Sequence, residues 1–329
     1  MSEVFESEVS TAIQAVVAAS VICRSVQKTI ADDAMEKKDR SPVTVADFAS
    51  QAVICRALRE VFPNDPIVGE EDSKELRTAE NAPFRARILK EIQATGVEAS
   101  EKEVLSWIDF GNHDGSADRF WTLDPIDGTK GFLRKEQFAV SLALIVDGTI
   151  QVAALACPNL QTRDTWDNAQ GVVLSAVRGQ GARMTPLDLL DVTPHTTQVS
   201  AIKSPLEARL CESVESGHTA HGWSGNVREQ LGTTAEAVRI DSQAKYAVVA
   251  QGDAEVYLRL PTRKDYQEKI WDHAGGVLVV EESGGTVTDI DGKPLDFSQG
   301  STLKNNRGVV VTNGLLHDDV LKAIAAAEE

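Results

Sequence analysis

The sequence predicts an α/β protein, built as one large domain or two closely packed ones. Three observations support this. Its 329 residues exceed what one ordinary core absorbs. A hydrophobic share of 42% beside 25% charged residues is that of a globular chain with a core to bury. Helical and strand periodicities then alternate along most of its length.

Residues 4–30 carry a helical pattern rich in Ala, Val and Ile. Its apolar centre, Ala12 to Ile22, is short, is interrupted by Gln14 and Ser20, and is followed by Arg24 and Lys28. That favours a core-facing helix over a membrane span. Asp32 to Ser41 reads as a charged loop. Val45 to Val61 reads as a second helix, with Phe48, Ala52, Cys55 and Leu58 near helical spacing. Thr44-Val45-Ala46-Asp47 matches a capping box at its start. A turn from Pro63 to Pro66 leads into a short strand, Ile67-Val68-Gly69, and the acidic loop Glu70-Glu71-Asp72. Residues 73–118 form an excursion with helical pieces at Phe84 to Gln93 and Glu101 to Ile108. The span 76–118 is the candidate for a lid. Trp121-Thr122-Leu123 reads as a strand that ends where Asp124 begins.

Phe138 to Val146, Asp147-Gly148 and Ile150 to Ala156 make the strongest hairpin signal. Val172-Val173-Leu174 and the turn Gly179-Gln180-Gly181 continue the β character. A shift between Pro194 and Pro205 divides the chain into units 1–195 and 196–329. Strands and helices alternate beyond it: Gln198 to Ile202, Val227 to Leu231, Ala237 to Ile240, Tyr246 to Gln251 and Val256 to Leu260. Val256, Leu258 and Leu260 share one strand face, which puts Arg259 on the other. Trp271 to Ser283 is a helix closed by Gly284-Gly285. Thr286 to Asp289 and Val309-Val310-Val311 supply late strands, and Leu315 to Ala327 a terminal helix.

Fifty acids against 33 bases leave a net charge of −17. There is no basic stripe of the kind that binds duplexes, and the global field repels long nucleic acid. A phosphate-ester substrate would need metals and a local basic cluster to overcome that field. Cys23, Cys55, Cys157 and Cys211 are widely spaced and include no C-x-x-C. Zinc is therefore disfavoured, and a reduced cytosol fits better than a disulfide scaffold. The acidic start, Met1 to Glu8, opposes a signal or transit peptide. The expectation is a cytoplasmic protein with no membrane partner.

The most informative stretch is Trp121-Thr122-Leu123-Asp124-Pro125-Ile126-Asp127-Gly128-Thr129. Two carboxylates stand three residues apart around a proline. Pro125 biases Asp124 toward an extended conformation and ends regular pairing. Gly128 supplies a tight turn, and Thr129 opens a helix whose free N–H groups face an anion. Acids for divalent metals beside backbone for a phosphate point to metal-dependent phosphoryl chemistry. Glu70, Asp124, Asp127 and Asp272 each sit at a strand end or helix start. Together they suit magnesium, a hard cation that prefers oxygen ligands, and without cations they would repel one another.

Simpler roles stay open for single residues. Asp272 could be a helix cap, Glu70-Glu71-Asp72 a solvated acidic loop, and His218 a loop residue without a ligand. Lys245 and Arg259 could be solvated surface charges. Asp47 could cap its helix, accept a proton from an attacking water, or do both.

The motifs Gly69-Glu70-Glu71, Asp124-Pro125-Ile126-Asp127-Gly128-Thr129 and Trp271-Asp272-His273-Ala274-Gly275-Gly276 with Gly284-Gly285 resemble those of the inositol monophosphatase superfamily, in order and spacing from about residue 10 to 315. Four further stretches resemble its fungal and plant 3′(2′),5′-bisphosphate nucleotidase branch. They are Ser213 to His218, Asp241 to Tyr246, Tyr257 to Pro261 and Tyr266 to Asp272. The resemblance implies a layered α/β/α/β/α sandwich and two or three Mg²⁺ ions held by Glu70, Asp124, Asp127, Asp272 and the Ile126 carbonyl. It assigns water activation to Asp47 and Thr129, and the scissile phosphate to the Gly128 and Thr129 amides. His218, Ser242, Lys245 and Arg259 would hold the nucleoside and its second phosphate. The activity implied is lithium- and sodium-sensitive hydrolysis of the 3′-phosphate of adenosine 3′,5′-bisphosphate, and of its sulfated precursor, with roles in sulfur assimilation and salt tolerance. A monomer is expected. The alternatives are an inositol polyphosphate 1-phosphatase, a non-catalytic bisphosphate sensor, and a nuclease on short oligonucleotides.

Overall fold

Two β-sheets alternate with three helical layers in the order α/β/α/β/α. The computed structural model describes residues 4–29, 34–36, 42–161, 169–214, 221–263 and 265–327.

The first layer is helical. It holds α1 (Glu6–Thr29), α2 (Val45–Val61), α3 (Ala82–Gln93) and α4 (Glu101–Asp109). A two-stranded ribbon of β1 (Ala34–Glu36) and β2 (Pro42–Thr44) precedes α2. The charged loop expected at Asp32 to Ser41 thus contains a strand at Ala34–Glu36. Three residues are too few for periodicity to reveal. α1 is long and apolar enough to cross a membrane by composition. Here Ala12, Ala15, Val16, Ala19, Ile22 and Val26 are buried in the first core, as expected of a core-facing helix. Ile88 and Ile92 of α3, with Val104, Leu105 and Ile108 of α4, join the same core. Among the described residues, none from 76–118 lines the acidic cleft described below.

The first sheet has seven strands in chain order: β3 (Ile67–Gly69), β4 (Arg119–Asp127), β5 (Ala139–Val146), β6 (Thr149–Gln161), β7 (Gln170–Val177), β8 (Ala182–Pro186) and β9 (His195–Thr196). β3 and β4 are parallel; the other neighbours are antiparallel. The expected hairpin is β5–β6. Asp147 and Gly148 take φ of 49° and 70°, the left-handed pair that a two-residue turn requires.

β4 does not end before Asp124 but runs on through Asp127, with its register shifting between the two acids. The β3 partner stops at Gly69, opposite Leu123. Pro125 therefore sits where β4 has lost one neighbour, and its missing N–H costs no bond on that side. The irregularity re-aims the acids.

The second sheet, in the order β11-β10-β12-β14-β13, contains β10 (Leu210–Glu212), β11 (Val238–Arg239), β12 (Val256–Arg259), β13 (Thr286–Thr288) and β14 (Val309–Thr312). Between the sheets lie α7 (Ala244–Ala250) and α8 (Ala274–Glu282), a nearly all-apolar helix buried against both. The outer layer is α6 (His221–Leu231) and α9 (His317–Ala327). Along β12, Val256 and Leu258 enter the outer core while Tyr257 enters the middle one, so the period-two reading holds. Trp223 of α6 packs on the outer core, with its indole N–H directed at the Ile324 carbonyl of α9 at 3.4 Å. The strand expected at Gln198 to Ile202 is absent. That segment instead meets loops and helix ends, with Val199 N–H donating to Ser283 O and the Asn313 amide donating to Ser200 and Ile202 carbonyls.

Candidate active site

Two sheets end at one cleft, a cavity of about 640 Å³, within the range of small-molecule sites. Glu70 reaches it from the end of β3, and Asp124, Ile126 and Asp127 from the end of β4. Gly128 and Thr129 come from the turn into α5 (Thr129–Leu133), Ser242 and Lys245 from the start of α7, Arg259 from β12, and Asp272 from the turn before α8. Asp47 meets the site through Thr129. Of the sequence candidates, His218 lies outside the described residues.

Asp47 divides its two oxygens between two tasks. Oδ2 accepts the Thr44 N–H at 2.8 Å and the Thr44 hydroxyl at 2.6 Å, completing the capping box of α2. Oδ1 lies 3.4 Å from the Thr129 hydroxyl, which also lies 3.4 Å from the Ile126 carbonyl. The cap therefore leaves the other carboxylate oxygen aimed at the motif.

One turn further along α2, Ser50 donates to the Pro125 carbonyl at 2.9 Å. The Gln51 amide holds both the N–H and the carbonyl of Glu71. Asp47, Ser50 and Gln51 share a helix face by their spacing. Sequence reasoning singled out Asp47 alone, although the i+3 and i+4 positions were there to be read.

Gly128 has φ of 87°, and a Cβ there would come within 2.8 Å of the Ser242 Cβ. The turn therefore needs glycine for its backbone and for the close approach of Ser242. Ser242 itself has φ of 69°, an uncommon conformation for a non-glycine and of a kind that concentrates at functional sites.

Gln243, beside it, ties the two halves of the cleft together. Its N–H donates to Asp127 Oδ2, and its side-chain amide donates to the Trp271 carbonyl at 3.0 Å. Its Oε1 accepts from Ser141 at 3.0 Å and from Gly276 N–H at 3.3 Å. Through-space contacts of this kind leave no spacing signal in a sequence.

The acids repel one another. Asp124 is 1% exposed. Burial, then the charges of Glu70, Asp127, Asp272 and Asp47, push its carboxyl well above the usual range. Asp272 is pushed up in the same way by burial, eased by Arg259 and reinforced by Asp127 and Glu70. Burial raises Asp127 too, against the opposing pull of Lys245 and Arg259. Among the described residues Asp124 Oδ1 has no hydrogen-bond partner. A buried carboxylate oxygen without a donor, in a group of mutually repelling acids, is the environment a hard dication relieves.

Among the described residues, Glu268, Asp272 and His273 also bring potential ligand atoms within 4.8 Å of one another, sharing Asp272 with the four acids. Glu268 and His273 are already engaged. Glu268 pairs with Arg259 at 3.1 Å and His273 Nε2 at 3.2 Å. His273 Nδ1 meets the Tyr246 hydroxyl at 2.7 Å. Burial alone would raise the Glu268 carboxyl, but Arg259 and the His273 hydrogen bond hold it down at about 2.

Lys245 and Arg259 are not solvated surface charges. Lys245 is 3% exposed, lies over the Tyr257 ring at 5.1 Å and donates to the Ile240 carbonyl at 3.3 Å. Nor is Asp272 a side-chain cap of α8, whose N-cap position is His273.

A second cavity, of about 810 Å³, lies across Asp241 from the first. Its acids are paired, Asp188 with Arg24 and both Glu136 and Asp241 with Arg134. It therefore lacks the repelling acids of the first. The four cysteines are free and buried, with burial pushing their thiols up and away from reactivity.

A mixed α/β/α/β/α sandwich with an acid-rich cleft lined also by Lys245 and Arg259 defines a class, and comparison with known proteins agrees. The sequence profile of the inositol monophosphatase family matches residues 5–329, and the chain belongs to that family. It is similar to the 3′(2′),5′-bisphosphate nucleotidase of Schizosaccharomyces pombe, with 43% identity over 98% of this chain and 96% of that one. It is also similar to the protein of the same name in Oryza sativa, at 40% identity over 98% and 95% of the respective chains. Among solved structures, the Thermotoga maritima IMPase superposes with a TM-score of 0.66 at 21% identity, covering 96% of each chain. The extragenic suppressor protein suhB of Bartonella henselae gives 0.65 at 19%, covering 96% of this chain and 97% of that one. These two show the fold.

Proposed function

We propose that this chain is a magnesium-dependent phosphatase that removes the 3′-phosphate of adenosine 3′,5′-bisphosphate to leave AMP, and that it acts likewise on the sulfated precursor. The observation that carries the reading is one cleft lined by four acids, by Thr129 with Asp47 behind it, and by two cations, the buried Lys245 and the partly buried Arg259. The nucleotidases it resembles over nearly its full length support the choice of substrate. In this reading unit 1–195 carries water activation and most metal ligands, and unit 196–329 carries Asp272 and the nucleotide contacts. The enzyme acts as a cytoplasmic monomer on a small molecule. Inhibition by lithium and sodium, and roles in sulfur assimilation and salt tolerance, belong to the same reading through the resemblance.

Glu70, Asp124, Asp127, Asp272 and the Ile126 carbonyl would hold two or three Mg²⁺ ions. When bound, magnesium would supply Lewis acidity that makes water a better nucleophile and offsets charge on the leaving oxygen. The protein's own groups position and move protons. The Thr129 hydroxyl donates to Asp47 Oδ1, which leaves its lone pairs for the attacking water. As the water oxygen bonds to phosphorus, its proton passes to Thr129 Oγ1 and the threonine proton to Asp47. The bond from phosphorus to the ribose 3′ oxygen breaks opposite, with inversion and no phosphoenzyme. The Gly128 and Thr129 amides hold the scissile phosphate, Ser242 and His218 the nucleoside. Lys245 and Arg259 hold the 5′-phosphate, with Arg259 able to bind it through two N–H groups.

Lys245 gives this reading a pH signature. Burial lowers its ammonium to about 8, with Asp127 opposing and Arg259 reinforcing the shift. It is charged below that value and neutral above. KM for the bisphosphate is therefore expected to climb as pH rises through this region. Lys245→Arg, which stays charged, should flatten the climb. A wild-type KM flat across that pH region would remove Lys245 from the phosphate site.

Turnover of adenosine 3′,5′-bisphosphate compared with inositol 1,4-bisphosphate tests the substrate choice. Faster release from the nucleotide supports the proposal, and faster release from the inositol ester replaces it with the polyphosphate 1-phosphatase reading.

A further inference from the structure

Arg259 faces two carboxylates. Glu268 takes it in a two-point contact, Nε to Oε1 at 3.3 Å and Nη2 to Oε2 at 3.1 Å. Asp272 Oδ2 lies 3.6 Å from the same Nη2. One guanidinium is contested by two acids, and the forked contact holds it. Glu268 is in turn fixed by His273 at 3.2 Å, and His273 by the Tyr246 hydroxyl at 2.7 Å. All three side chains are buried. Tyr246 stands edge-on to Tyr257 at 5.2 Å. Gly276 leaves room for its ring, since a Cβ there would collide with it. The chain of contacts is therefore anchored at its far end by packing.

We propose that Glu268 is a positioning residue. Held by His273 and Tyr246, it stops Arg259 from closing beyond its 3.6 Å approach to Asp272, which leaves Asp272 for the cation and Arg259 for the second phosphate. The inference rests on the nucleotidase reading above. Without the Glu268 charge, the enclosed guanidinium would close on Asp272, because a buried charge needs a counter-charge. That single movement would withdraw a phosphate contact and neutralise a metal ligand.

Glu268→Gln keeps the shape and removes the charge. With this variant, KM and kcat are measured for adenosine 3′,5′-bisphosphate and for adenosine 3′-monophosphate, together with the magnesium concentration that gives half of the magnesium-induced rise in Tm without substrate. The bisphosphate KM should rise about tenfold, the weight of one charge-assisted contact, while the monophosphate KM moves less than about twofold. The magnesium requirement should rise with the bisphosphate KM. Glu268→Asp, which returns the charge, should recover part of both. Tyr246→Phe removes one hydroxyl and keeps the ring. It should shift both quantities in the same direction by less, and it decides the matter if Glu268→Gln does not fold.

An equal KM rise on the two substrates would overturn the proposal, as would an unchanged magnesium requirement. A wild-type enzyme indifferent to the 5′-phosphate would instead sink the nucleotidase reading, and the magnesium shift would then judge Glu268 alone.

Discussion

Asp47→Asn is expected to lower kcat by about 10²- to 10⁴-fold, the usual weight of a general base, and to leave the helix it caps in place. The two effects separate because the two oxygens do different work. Oδ2 accepts from Thr44, and an amide oxygen can accept there as well, so stability should fall by less than about 1 kcal/mol. Oδ1 faces Thr129, and an amide nitrogen in its place cannot take a proton. Asp47→Ala would add the loss of the cap, about 1 kcal/mol. Thr129→Val should match Asp47→Asn in kcat, and the double variant should be no worse than either, because groups acting as a unit are not additive. Steady-state kinetics with thermal melts on the four proteins checks this. Additive losses would show that Asp47 and Thr129 act separately.

The second large effect combines lost activity with gained stability. The folded-state pKa of Asp124 is raised well above its ordinary value by burial and by Glu70, Asp127 and Asp272. Between the unfolded and folded values the native protein binds more protons than the unfolded one. Stability without cations therefore falls as pH climbs from the ordinary carboxylate range through the raised value. Asp124→Asn removes that charge. The cation-free variant should melt higher than wild type at neutral pH, by on the order of 2 °C for each kcal/mol of repulsion relieved. Added magnesium should raise the wild-type Tm, more at higher pH, and raise the variant's much less. Activity should fall more than about 100-fold, beyond the loss from removing only an outer partner of a metal ligand. A variant that melts lower than wild type without cations would contradict this electrostatic account.

Where local chemistry dictates a boundary, the sequence was legible. The capping box placed the start of α2 at Val45, Asp147-Gly148 placed a hairpin turn, and alternation put Val256 and Leu258 on the face opposite Tyr257. The burial of Lys245 was not visible locally, since the same residue on an exposed helix has the same neighbours in sequence. Pro125 misled because its effect depends on whether a neighbouring strand continues, and β3 stops opposite Leu123, two residues earlier. β10, three residues long, is too short for any period to show. The contacts of Gln243, and the chain from Arg259 through Glu268 and His273 to Tyr246, join residues by folding and not by spacing.

The central claim is that this cleft releases phosphate from a nucleoside bisphosphate with magnesium as cofactor. Phosphate release from adenosine 3′,5′-bisphosphate, AMP and inositol 1-phosphate, each with magnesium and again with a chelator, tests it most directly. The account predicts rapid release from the bisphosphate alone, abolished by the chelator. Preference for inositol 1-phosphate, or binding of the bisphosphate with no release from any of the three, would contradict it.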